Sequence, residues 1–81
     1  MYKIEKKTSG YVLTFAGVIN AHEMKQWYDD SRLKLANETS KSFGVIIDMV
    51  NLKPLDAETS NIMKNGQKLY KEKGMSRSAR R

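Results

Sequence analysis

"IIDMVNLKPLDAETSNIM", residues 46–63, runs from an apolar segment into a helical pattern through a corner bounded by two acids, Asp48 and Asp56. With the three residues before it, the segment reads "FGVIIDM" over 43–49. It is apolar at successive positions, which predicts an interior strand covered by helices on both faces. Pro54 cannot donate to a strand ladder, so "VNLKPL" reads as a connection. Asp56 suits a helix N-cap. Thr59, Ile62, Met63, Gly66, Leu69 and Tyr70 then recur at helical spacing and form one apolar stripe. A mid-helix glycine costs about 1 kcal/mol against alanine, so Gly66 predicts close packing on the sheet. Gly74 suits the C-cap.

Upstream, "YKIEKK" at 2–7 alternates, with Tyr2, Ile4 and Lys6 on one side. "TSG" supplies a turn, and "YVLTFAG" at 11–17 is rich in β-branched and aromatic residues, so a hairpin is expected. "NAHEMKQWYDDSRLKLA" reads as a helix opened by Asn20, with Glu23 three residues on completing a capping-box pattern. Met24, Tyr28, Ser31 and Leu35 share a face, flanked by Trp27; Leu33 points away from it. The order is ββαβα. A right-handed crossover makes the second and third strands parallel. The expected fold is α/β, a small mixed sheet with helices packed on it, over residues 1–74.

Composition narrows the function classes. The chain has 81 residues, room for one domain. It lacks cysteine, which excludes disulfides, thiolate nucleophiles and cysteine metal sites. "MYKIEKK" has no apolar core of a signal peptide, and no apolar run approaches the roughly 20 residues that span a bilayer, so a cytoplasmic location is expected. Of the net charge of +6, the last eleven residues carry +4. Residues 75–81 therefore read as a basic C-terminal tail without a pattern of its own. Lys71, Lys73, Arg77, Arg80 and Arg81 offer an alternative function, binding nucleic acid or anionic membrane.

The segments "YVLTFAGVINAHEMKQW" and "FGVIIDMVNLKPLDAET" resemble STAS domains, the anti-anti-sigma-factor-like superfamily, and within it the SpoIIAA-like branch. In STAS regulators the corner reads Asp-Ser-Ser/Thr-Gly, and a partner kinase phosphorylates a hydroxyl there. Aligned from Asp48, that corner falls on Asp56, Ala57, Glu58 and Thr59. The aspartate matches, Ala57 has no hydroxyl, and Thr59 stands in place of the glycine. The resemblance thus implies a non-enzymatic interaction module without the phospho-switch, with Asp48, Asp56, Ala57, Glu58 and Thr59 as its contact corner. It also implies a further parallel strand after the second helix, where this chain ends. A domain cut short would leave the 43–49 strand at an edge, open to pairing with a second copy.

Other sites are weaker. His22, the single histidine, has no placed nucleophile beside it. Asp48 and Asp56 lack a recognised metal spacing; the favoured roles are satisfying loop amides for Asp48 and capping a helix for Asp56. There is no Gly-rich phosphate loop, and no cofactor is expected. Met24, Trp27, Tyr28, Met63 and Tyr70 could line an apolar pocket for a lipid or small molecule, although their spacing makes them core first.

Overall fold

The computed structural model describes residues 1–81. Two strands, β1 (Tyr2–Lys7) and β2 (Gly10–Gly17), precede helix α1 (Ala21–Ala36); β3 (Phe43–Leu52), α2 (Ala57–Lys73) and β4 (Met75–Arg80) complete the chain. The sheet order is β1-β2-β3-β4. The hairpin is antiparallel, and β2, β3 and β4 are parallel. The small α/β fold with a mixed sheet is as the pattern predicts, with one strand more.

That strand corrects the reading of 75–81 as a patternless tail. Gly74, at φ 130°, turns the chain out of α2, and its carbonyl accepts the Phe43 N–H at 3.0 Å. Residues 75–80 then run beside β3, with Gly44 opposite Arg77 and Ile46 opposite Ala79. The strand has no apolar alternation because it lies at the sheet edge, where most of its side chains are exposed. Backbone pairing, not burial, holds it. β3 is consequently interior, paired on both sides, and cannot recruit a second copy through its own edge. The true edges, β1 and β4, carry Lys3, Lys6, Arg77 and Arg80, a common device against edge-to-edge association.

The two helices pack on one face only, which corrects the expectation that β3 is covered on both. Strands β2, β3 and β4 follow one another in the same direction across the sheet. Two right-handed crossovers of that sense put both helices on the same side. Tyr11, Leu13, Phe15, Phe43, Val45 and Ile47 face the helices and are buried. Their alternates Val12, Thr14, Ile46 and Asp48 are half-buried on the open face.

Trp27 is the centre of the core, not its flank. It is fully buried, meets Phe15 edge-to-face at 5.2 Å and stacks on Tyr70 at 6.2 Å. Gly66 is explained by it: a Cβ there would stand 2.1 Å from the Trp27 ring, so the close packing is between helices and not on the sheet. Ser31 on α1 bonds the Tyr70 hydroxyl at 2.8 Å, and burial pushes that phenol up to about 12. The Leu33 side chain is exposed. Asn20 caps α1 by accepting the Glu23 N–H at 2.9 Å. The reciprocal half of the capping box is not made, because the Glu23 carboxylate pairs with the Met1 amino group at 2.9 Å instead.

Candidate functional site

The strand-to-helix corner sits at the end of the sheet where the parallel strands finish and both helices begin. β3 overruns the prediction by three residues, to Leu52. It gains one residue against β2, since Thr14 lies opposite Asp48 but Ala16 lies opposite Asn51. Asp48 holds this bulge: its carboxylate accepts the Val50 N–H at 3.2 Å, and the Arg81 guanidinium stands 3.9 Å away. Asp56 caps α2 by accepting the Thr59 N–H at 2.8 Å. Both acids therefore have a backbone duty, the role favoured for them.

Of the other corner residues, Ala57 and Glu58 are exposed and free for contact. Thr59 is fully buried and faces the core, so it cannot meet a partner from the folded state. The corner also brings forward residues that pattern reading missed. Val18, in the loop after β2, is 80% exposed, and Val50, on the bulge of β3, is 69% exposed. They lie at the same end of the sheet, where Gly17 is opposite Leu52 and accepts the Lys53 N–H at 3.0 Å. The signal was present but ambiguous: a valine after a strand glycine reads equally well as core.

The five residues proposed to line an apolar pocket do not enclose one. Met24, Trp27, Met63 and Tyr70 are core residues filled by one another. Tyr28 is half-buried and borders a shallow groove between the helices, together with Lys25, Asp29, Lys68 and Glu72. The proposed basic set is also divided. Lys71 and Lys73 lie in the last turn of α2. Arg77 crosses the open face over Gly44, Arg80 reaches Gln67 of α2 at 3.4 Å, and Arg81 turns to Asp48.

On the open face, paired positions form transverse rows. One row is Lys7, Gly10, Gly44, Arg77; the next is Glu5, Val12, Ile46, Ala79. The two glycines bring the strands' backbones together, since a Cβ on Gly10 would fall 1.8 Å from the Gly44 carbonyl oxygen. Glu5 stands between Lys7 at 3.3 Å and Lys3 at 4.0 Å, so its charge answers both. At the far end of the hairpin, the Glu38 carboxylate accepts from Lys6, the Tyr11 hydroxyl and the Ser40 N–H. These bonds, that of Lys6 foremost, hold its acid down to about 2. Burial is the main reason that the Tyr11 phenol is raised.

His22 is exposed, with Gln26 at 3.4 Å as its neighbour. No group of three His, Asp or Glu side chains is placed to hold a metal ion. No helix is long and apolar enough to cross a membrane. No family model matches the chain, and no curated protein or solved structure matches it either.

Proposed function

We propose that the chain is a non-enzymatic, STAS-like interaction module that docks a protein partner at its strand-to-helix corner. The observation that carries this reading is the exposure of two aliphatic side chains, Val18 and Val50, at the same end of the sheet as the exposed first turn of α2 at Asp56, Ala57 and Glu58. Exposed aliphatics grouped beside charged residues have the composition of a small interface centre and its rim. The backbone there is fixed by the Asp48 bulge and the Asp56 cap, so the surface is preorganised and little ordering is needed on docking. In the family that the sequence resembles, the same corner carries a regulatory hydroxyl. Here Ala57 removes it, which leaves contact without that switch.

Site-resolved photocrosslinking in cells tests the reading. A photoreactive residue is placed at Val18, at Val50 or at Leu33, which is equally exposed but lies on α1 away from the corner. Discrete adducts at positions 18 and 50, and none at 33, are expected. Adducts at none of the three, or equally at all three, would overturn it.

A further inference from the structure

We infer that the groove between α2 and β4 is a docking surface for the phosphate backbone of a nucleic acid. Lys64, Lys68 and Lys71 line it, with Gln67 and Ser76 between them; Arg77 borders it from β4, its guanidinium lying over Gly44 on the open face. The three lysines follow one another at i, i+4 and i+7, so they form a single stripe about 10 Å long on an exposed helix face. Arg80 stands at the same border through its bond to Gln67.

The distinguishing feature is the sign of the charge. Lysines 3 and 7 on the open face share Glu5, and Arg81 approaches Asp48. The groove between the helices mixes Lys25 and Lys68 with Asp29 and Glu72. The α2/β4 groove contains no carboxylate, and Lys64, Lys68, Lys71 and Arg80 make no ion pair with any acid of the chain. A stripe of cations without ion pairs attracts a polyanion and releases its counterions on binding.

The lining selects among polyanions. A bilayer surface is bound by a face that inserts aromatic or aliphatic side chains. This groove is open and polar, and Met75 is its one apolar residue. It also has no aromatic side chain on which bases could stack. The contact is therefore with phosphates, with little dependence on base sequence.

The test is fluorescence anisotropy of a labelled oligonucleotide of about 20 nucleotides, single- and double-stranded, titrated with the full chain across a salt series. With about four phosphates neutralised, affinity should fall on the order of a hundredfold between about 50 and about 200 mM salt. The triple variant Lys64→Gln, Lys68→Gln, Lys71→Gln should bind at least about tenfold more weakly, with a flatter salt slope. Replacing the same three residues with arginine should preserve binding. The control triple Arg32→Gln, Lys34→Gln, Lys53→Gln removes equal charge from exposed sites outside the groove and should bind like the parent. All six positions are exposed, so every variant is expected to fold, as circular dichroism would verify. Equal loss in the two glutamine triples, unchanged binding in the groove triple, or binding to phosphatidylglycerol vesicles without oligonucleotide binding would each overturn the inference.

Discussion

Leu13 and Val12 are neighbours on β2, yet Leu13 is 1% exposed beneath two helices while Val12 is half-buried on an uncovered face. The same contrast holds along β3, between Val45 and Ile46. One face of the sheet carries an interlocked aromatic core in which Phe15, Trp27 and Tyr70 are in mutual register. The other face carries small or aliphatic residues and paired charges, and nothing rests on it. The difference teaches that burial is confined to one side of the sheet. The helix side holds the fold together, while the open face, the corner and the α2/β4 groove stay accessible.

Substitutions that test this confinement rank by how far they disturb the covered face. Trp27→Ala should be the most damaging. Removing a fully buried indole typically costs about 3–5 kcal/mol, and an 81-residue chain has little stability to spare. The variant should be largely unfolded by circular dichroism at 25 °C, or melt far below the parent. Native-like melting would mean that the core is not centred where the helices meet.

Gly66→Ala comes next, and it reverses a familiar expectation. In an exposed helix the change stabilises by up to about 1 kcal/mol. Here the new methyl would overlap the Trp27 ring, whose position is fixed by Phe15 and Tyr70. Overpacking of this kind costs about 1–3 kcal/mol, so urea denaturation should show a loss. Tyr70→Phe should cost about 1–2 kcal/mol, because it leaves the buried Ser31 hydroxyl without its 2.8 Å partner.

Acid stability probes the rim of the same face. The folded state holds Glu38 ionised down to about 2, below its ordinary value of 4.5. A carboxyl with a depressed folded pKa contributes stability that is fully present above its ordinary value. That contribution fades as pH falls from about 4.5 towards about 2. Glu38→Gln should therefore be less stable than the parent at pH 6, and the gap should close by pH 2. A gap that is constant with pH would show that shape, not charge, makes the Glu38 contacts matter.

How much of this was legible follows from where the information lies. The hairpin, both helices, both N-caps and the parallel crossover could be read from residues 2–73, because burial imposes a period on each element. β4 could not. "MSRSAR" pairs through its backbone at an exposed edge, so its side chains carry no alternation of apolar and polar. The open face was misread for a related reason. Ile46 is apolar as a covered residue would be, and the sequence of β3 does not register that both crossovers run the same way. Gly66 announced a close approach but not its partner, since Trp27 lies 39 positions away in the chain. At the corner, Asp48 was recognisable as an acceptor for loop amides and Asp56 as a helix cap, whereas Val18 and Val50 became visible only once exposure was known.

Gly44→Ala closes the comparison from the open side. Gly44 and Gly66 are both tightly approached glycines, but the approaching atoms differ in kind. At Gly66 the obstacle is a buried ring held on two sides. At Gly44 it is the Arg77 side chain, whose Nε would lie 3.0 Å from a new Cβ and whose Cγ would lie 3.3 Å away. Arg77 is exposed and bonded to nothing, so it can swing off the face at the cost of one rotamer adjustment. Gly44 has no positive φ, and alanine in a strand loses less backbone entropy than glycine. The two effects nearly cancel, and Gly44→Ala should change stability by less than about 0.5 kcal/mol, the range of ordinary surface changes. A loss as large as that of Gly66→Ala would mean that Arg77 is pinned across the open face by something that holds it there, and that this face is less free than the half-burial of Val12 and Ile46 implies.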